Sequence, residues 1–208
     1  GFRDFHWEDR EPTPHDFRSA EEWFDYHRKF ATQHAASIKL DRTQFIIKFG
    51  NGTTRLFKLE EINAPTIQEW NSELGYVHVY YPLQLINGNI SGHFFYSLDS
   101  GQYLQTAETP RWSPQHTRFV TYCCSGIGTF SRNDFQVFSV SNHLRREYTP
   151  SSNNKGWGYM TARWLDEDTI EFYRLRSPGV PRLEQKCVLH FKDGKWLFEL
   201  IESAALKN

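Results

Sequence analysis

Short apolar runs of period two alternate with turn signals along this chain, and that alternation constrains its fold more than any other feature. From residue 38 onward a turn signal recurs about every eight to twelve residues. Asp193-Gly194 is the strongest of them, because this pair favours the type I′ turn of a two-residue hairpin. About ten to twelve short strands joined in this way predict a sandwich, a barrel or a propeller.

Many of the predicted strands begin or end next to Gly, Pro, Asn, Asp or Ser, residues that favour turns for known steric and hydrogen-bonding reasons. They lie at 43–48, 54–59, 76–81, 83–86, 93–98, 118–122, 135–140, 144–148, 160–164, 169–175, 185–191 and 195–200. The fold class predicted from them is mainly β, built from stacked antiparallel hairpins.

The 208 residues are enough for one compact domain with one substantial core. Residues 1–18 contain Pro12 and Pro14 without a clear period and are predicted to run as an extended arm. Residues 19–37 are predicted to form an amphipathic helix, because Ser19 and Glu22 have capping-box spacing and aromatic residues then recur at helical spacing. Residues 38–208 form the predicted β-hairpin stack.

Charge and composition disfavour several classes of function. The 24 Lys and Arg residues balance 25 Asp and Glu residues, so the chain lacks the basic surface typical of nucleic-acid binding. It has no apolar run of about 18 residues, which predicts no membrane span. It begins at Gly1 without a methionine, which is explained equally well by a trimmed expression tag and by signal cleavage and favours export only weakly. We expect a bacterial protein that is periplasmic or secreted.

Two turn sequences resemble a known family. Asp99-Ser100-Gly101 and Trp112-Ser113-Pro114 match the turns that close one blade and open the next in TolB-type and WD-repeat β-propellers, although Gln115-His116 stands where Asp-Gly would be. Trp164-Leu165-Asp166 is similar. The resemblance covers roughly residues 75–200. It implies an incomplete or irregular β-propeller, since the predicted strands would fill only about three four-stranded blades.

The overall appearance is also similar to that of small exported immunity proteins. These include periplasmic proteins that plug type VI secretion effectors, such as the inhibitor of the peptidoglycan amidase effector. The likeness rests on appearance and not on a motif. It implies an immunity or inhibitor protein whose partner is a bacterial toxin enzyme.

Catalytic and metal spacings are absent from the sequence. The nine histidines form none of the usual zinc motifs, and no cofactor is expected. His27 and His34 share a face of the predicted helix but are interpreted as ordinary surface residues. A nucleophilic Cys124 with His116 or His143 as its base is the catalytic alternative. The plainer interpretation is that Cys124 ends a core strand and that the chain is not an enzyme. The acidic run 166–168 is interpreted as a solvated turn.

The three cysteines leave the redox compartment open. In an exported protein Cys187 would pair with Cys123 or with Cys124, and one thiol would remain free. Neighbouring strand residues point to opposite faces, so at most one of the vicinal pair can face Cys187. The alternative is that all three are small buried residues.

Two polar, glycine-containing loops are the predicted binding elements. A rigid β scaffold can present such loops without changes to its core. We predict that the first, residues 125–133, inserts into a partner's cleft. The second, residues 149–158, is predicted to carry an exposed Trp that acts as a hot spot. The predicted partner-binding residues are Ser125, Gly126, Thr129, Phe130, Ser131 and Trp157.

These observations predict a non-enzymatic protein-binding protein, most concretely an inhibitor that occludes a partner enzyme's active site by loop insertion. The alternative is a carbohydrate or small-ligand binding protein, or a hydrolase, with an aromatic-lined groove. That groove would be formed by Trp112, Trp157, Tyr159 and Trp164.

Overall fold

A computed structural model describes residues 19–58, 65–81, 92–106, 109–122, 135–140, 143–150, 157–176 and 182–206. These residues form one helix, α1 (Ala20–Gln33), and fifteen strands in four antiparallel sheets. The first sheet contains β1 (Ile38–Leu40), β2 (Gln44–Lys48) and β3 (Thr54–Lys58). The second contains β4 (Thr66–Asn71), β5 (Tyr76–Tyr81), β6 (Gly92–Ser97) and β7 (Tyr103–Thr106). The prediction of a mainly β chain with one N-terminal helix is confirmed.

The other two sheets follow the same pattern, in which strands that are adjacent in sequence are adjacent in the sheet. The third contains β8 (Arg111–Trp112), β9 (Arg118–Tyr122), β10 (Phe135–Ser139) and β11 (Arg145–Tyr148). The fourth contains β12 (Trp157–Asp166), β13 (Thr169–Arg176), β14 (Arg182–Lys192) and β15 (Lys195–Leu206). Each sheet is therefore a meander, the topology that short hairpin turns favour.

Four of these strands, β1, β4, β7 and β8, lie where the sequence predicted none. β4 has no alternation of apolar and polar residues, and β8 is only two residues long. These strands are therefore defined by their pairing with β5 and β9, and their own sequences carry no strand pattern. The predicted strand 83–86 lies outside the described residues.

The helix begins as predicted, with the Ser19 Oγ accepting a hydrogen bond from the Glu22 amide at 3.1 Å. It ends at Gln33 and not at residue 37, because the Ser37 and Ile38 amides both turn back to the His34 carbonyl. Trp23 is fully buried and donates its indole N–H to the Pro65 carbonyl at 2.9 Å. The helix is thereby fixed against the start of β4.

His27 corrects the prediction of a surface residue. It is buried, with Nδ1 2.8 Å from the Trp23 carbonyl and Nε2 3.1 Å from the Ile67 amide. Nδ1 therefore carries the proton and Nε2 accepts, so the ring is neutral. Burial lowers the pKa of His27 to about 4, although the bond to the Trp23 carbonyl opposes the shift.

Each sheet packs face to face against the next one in the chain. The first core, between α1 and the first two sheets, contains Trp23, Phe45, Ile47, Val77 and Val79. The second, between the second and third sheets, contains Tyr76, Phe95, Phe119, Phe138 and Val140. The third, between the third and fourth sheets, contains Val120, Phe135, Ile170, Phe172 and Leu189. Successive strand residues such as Phe119 and Val120 point to opposite faces, so β9 contributes to two cores.

The described strands thus form an ordered stack of four sheets. No core cluster of the described residues joins the first sheet to the fourth, and no closed sheet forms among them. The predicted β-propeller is therefore not confirmed.

The turns of neighbouring sheets dock on one another. The Gly50 and Asn51 amides donate to the Leu98 and Asp99 carbonyls at 2.8 and 2.7 Å. Gly101 has φ +67°, and a Cβ there would lie 2.7 Å from the Phe49 ring. Glycine in the Asp-Ser-Gly turn is thus required by backbone conformation and by the close approach of the first sheet.

The Trp-Ser-Pro turn docks on the acidic turn of the fourth sheet, which corrects the interpretation of 166–168 as simply solvated. The Glu167 carboxylate accepts hydrogen bonds from the Ser113 hydroxyl at 2.8 Å, from the Gln115 amide at 3.0 Å and from the Thr117 hydroxyl. Arg118 binds the neighbouring Asp168 at 2.9 Å. One carboxylate therefore holds the turn of the preceding sheet in place.

Candidate functional site

The stack has two different ends, which we call the turn end and the loop end. The turn end carries the β2–β3, β4–β5, β6–β7, β8–β9, β10–β11, β12–β13 and β14–β15 connections. Bonds between these turns, such as Leu98 N–H to the Gly75 carbonyl at 2.8 Å, align them. The loop end is the opposite end of the strands, where β5 and β9 end and β6 and β10 begin. In an antiparallel meander, the connections must alternate between the two ends in this way.

A buried polar layer lies toward the loop end, between the second and third sheets. Its members are each 2–6% exposed and are Thr66, His78, His93, Thr106 and Thr121. His78 stacks on Phe95 at 4.3 Å, and Phe95 stacks on Phe119 of the third sheet at 4.5 Å. This contact chain places the polar layer on the face that meets the third sheet, next to the aromatic second core.

The two histidines of the polar layer are hydrogen-bonded to each other, with Nε2 of His78 2.9 Å from Nδ1 of His93. One nitrogen must donate and the other accept. Burial lowers both pKa values, that of His93 to about 4 and that of His78 well below its usual value, with the charge of His93 as a second cause for His78. Both rings are therefore neutral near pH 7, and one proton is shared along the bond.

This pair can hold or pass a proton, but the described residues contain no group of three His, Cys, Asp or Glu side chains suited to a metal ion. Sequence reasoning missed the pair. Its only signal was the position of each histidine within an apolar strand, as in Tyr76–Tyr81. The pairing itself depends on the register that aligns Tyr80 with His93 and His78 with Phe95.

The predicted loop residues Ser125, Gly126, Thr129, Phe130 and Ser131 lie outside the described residues. The strands around them are described: β9 ends at Tyr122 and β10 begins at Phe135, both at the loop end. The segment that joins these strands therefore departs from the end of the molecule that also contains the polar layer.

Trp157 is not the exposed residue that its flanking glycines predicted. It begins β12, is 9% exposed, and has the Arg174 guanidinium 4.3 Å from its ring centroid. Arg174 is itself held by Gln185, with Nε to Oε1 at 2.8 Å. The Trp157 ring is buried by the Arg174 guanidinium stacked on it and by the pairing of β12 with β13. The prediction that Trp157 is exposed is therefore wrong.

Cys187 lies in β14, is buried in the third core and pairs in register with Phe172. Burial raises the pKa of its thiol to about 11, while Arg174 opposes the shift. Cys123 and Cys124 lie outside the described residues, so the disulfide stays a prediction. Both follow Tyr122, which packs against the same core as Cys187.

The catalytic alternative named His116 or His143 as the base for Cys124, which lies outside the described residues. His116 and His143 lie at the turn end, in the β8–β9 and β10–β11 connections, and His116 stacks on Trp112 at 5.5 Å. Cys124 follows β9, whose five residues span about 16 Å toward the loop end. Neither histidine is thus close to the end of β9 that the cysteines follow.

Three of the four aromatic residues predicted to line one groove pack in two different cores. Trp112 stacks on Tyr76 at 5.7 Å beside the second core, whereas Trp164 and Tyr159 belong to the third core. The Trp164 indole donates to the Arg111 carbonyl at 2.8 Å. These rings join the sheets to one another and do not form a common groove.

An open cleft of about 520 Å³ lies instead at the turn end, between the end of α1 and the first two sheets. His34 and Trp70 stack within it at 4.4 Å, and Lys48 contributes a cation. The Trp70 indole donates to Ser72 Oγ at 3.1 Å. The cleft thus combines an aromatic surface with polar groups.

No known family model matches this chain, and no curated protein matches it significantly. Among the described residues, no helix is long and apolar enough to cross a membrane.

Proposed function

We propose that this chain is a non-enzymatic protein-binding protein whose partner contacts the loop end. One observation carries the proposal: tight hairpins docked by hydrogen bonds occupy the turn end, whereas β9 and β10 open toward the other end. A rigid scaffold with its longer connections on one side is the usual design of a loop-presenting binder.

The proposed contact element is the segment between β9 and β10. Its hydroxyls, on Ser125, Thr129 and Ser131, suit polar groups in a partner's cleft, and Phe130 supplies an apolar anchor. A partner with a concave active site fits this chemistry, since steric occlusion needs no catalytic group in the inhibitor. Immunity to a secreted bacterial toxin enzyme is the most specific form of the proposal.

The test compares loop-end and turn-end variants in co-purification from the native organism, followed by affinity measurement with the recovered partner. The double variant Ser125→Ala, Phe130→Ala should weaken partner binding by more than about 2 kcal/mol if either residue is a hot spot. The control double variant Tyr103→Ala, Gln115→Ala removes an aromatic and a polar side chain near the turn end and should bind as the wild type. Equal binding by all three proteins would contradict the proposal.

We also infer that the four sheets are arranged like the blades of an incomplete or irregular propeller. Face-to-face packing of successive sheets and alignment of their turns support this arrangement. An experimental structure in which the first strands β4, β8 and β12 surround a common axis would establish it. Sheets stacked without such an axis would exclude it.

A second candidate function is small-ligand binding at the turn-end cleft, which the stacked His34 and Trp70 rings favour. A glycan array with the wild-type protein and Trp70→Ala separates this candidate from protein binding. Binding that disappears in Trp70→Ala supports it, and an array without any signal rejects carbohydrate as the ligand.

A further inference from the structure

The last strand, β15, exposes apolar side chains on both of its faces. Residues 197–204 are all exposed, and two large apolar residues lie on each side of Glu199. The apolar members are 42–49% exposed and are Leu197, Phe198, Leu200 and Ile201. Neighbouring strand residues point to opposite faces, so this part of β15 exposes apolar surface on both faces. Phe198 is the most covered of the four, because it contacts the Phe172 ring and the Arg174 guanidinium.

β15 is also an edge strand, because within the described residues it pairs only with β14. The two-residue turn at Asp193 and Gly194 makes Lys192 and Lys195 a hydrogen-bonded pair. Hydrogen bonding alternates along an antiparallel strand. The backbone groups of Trp196, Phe198 and Leu200 therefore point away from β14 and are available to another strand.

We propose that β15 pairs antiparallel with β15 of a second copy of this chain, forming a symmetric dimer with one continuous eight-stranded sheet. The free edge groups restrict the registers. In the regular part of β15 before the bulge at Ile201, the residues that can exchange backbone hydrogen bonds across the new edge are Trp196, Phe198 and Leu200. A two-fold axis at Leu197 satisfies this requirement and brings Trp196 opposite the partner copy's Phe198.

Charge complementarity selects that register. An axis at Leu197 places Lys195 of each copy opposite Glu199 of the other, which gives two opposite-charge pairs beside a Leu197–Leu197 contact. An axis at Phe198 would place Leu197 opposite Glu199, and an axis at Glu199 would place two carboxylates opposite each other. The dimer also buries an apolar edge that would otherwise favour aggregation.

The first experiment is sedimentation velocity of the full chain over a concentration series. The wild type should dimerise, and Lys195→Glu should weaken the dimer about tenfold, because two attractive pairs become repulsive. The swapped double variant Lys195→Glu, Glu199→Lys should restore the dimer. A wild type that stays monomeric, or a swapped variant no tighter than Lys195→Glu, overturns the proposal.

The second experiment tests the register by disulfide formation. Directly opposed residues in a non-hydrogen-bonded pair have Cα atoms about 4.5 Å apart, within the range of a disulfide. Leu197→Cys should therefore cross-link into a covalent dimer on mild oxidation. In this register the two Glu199 positions are about 13 Å apart. Glu199→Cys should then resemble the wild type, and cross-linking by Glu199→Cys but not by Leu197→Cys overturns the register.

Discussion

The two halves of the interface between the second and third sheets have opposite chemistry. Toward the turn end it is aromatic, with Phe95 and Phe138 stacked on Phe119 at 4.5 and 4.9 Å. Toward the loop end it contains the polar layer, in which His78 and His93 are bonded to each other. Burial of apolar rings stabilises the fold directly, whereas buried polar groups stabilise it only when they are fully hydrogen-bonded.

Within this interface, the contrast assigns stability mainly to the turn end. There the aromatic core, the docked turns and the Glu167 carboxylate coincide.

The largest effect is expected from Phe119→Ala in the aromatic half. Phe119 is fully buried, and its removal leaves a cavity between two stacked rings. The free energy of unfolding should fall by about 3–5 kcal/mol in chemical denaturation. Leu165→Ala, at a residue 49% exposed, is the matched control and should change it by less than about 1 kcal/mol. Similar losses in the two variants would mean that the second core is not tightly packed.

The polar half should make stability depend on pH. The folded-state pKa of His93 is lowered to about 4, whereas the unfolded chain binds this proton near pH 6.5. The unfolded state therefore holds more protons below pH 6.5, and stability falls as pH falls. Between pH 6.5 and pH 5 the contribution of His93 to the free energy of unfolding falls by about 2 kcal/mol.

His93→Gln should remove that part of the pH dependence in denaturation series at pH 7 and pH 5. His143→Gln, at an exposed position, is the control and should retain it. His27 and His78 also have lowered pKa values, and both are present in both variants, so part of the pH dependence remains in each. An unchanged slope in His93→Gln would show that the polar layer is open to water.

A smaller effect is expected at the docked turns. Glu167→Ala leaves the Ser113 and Thr117 hydroxyls and the Gln115 amide without their acceptor, so the free energy of unfolding should fall by about 1–2 kcal/mol. Asp168→Ala removes an exposed partner of Arg118 and should have an effect of less than about 1 kcal/mol. Thermal denaturation of both variants is the measurement. If Asp168→Ala has the larger effect, the Arg118–Asp168 ion pair and not the Glu167 carboxylate is the main link between the two sheets.

The sequence predicted those features that depend on neighbouring residues. The Ser19 cap and the Asp193-Gly194 hairpin are local, because the interacting groups lie within a few positions. Glu167 and the His78–His93 pair were not predicted, because their partners lie 15 to 54 positions away. Trp157 shows the same limit: its flanking glycines indicated exposure, but stacking by Arg174 from the neighbouring strand buries it.

The smallest effect on stability is expected at the loop end, from Ser125→Ala with Phe130→Ala. The stretch 125–133 is polar and contains Gly126 and Gly128, and exposed loop substitutions change the free energy of unfolding by less than about 0.5 kcal/mol. Thermal denaturation of this double variant and of Phe119→Ala, measured side by side, compares the stability effects at the two ends directly. Because this double variant is also the one expected to weaken partner binding, an unchanged melting temperature would assign that loss to contact and not to unfolding. A loss comparable to that of Phe119→Ala would instead make Phe130 a core residue, and the division of the molecule into a stabilising end and a binding end would not hold.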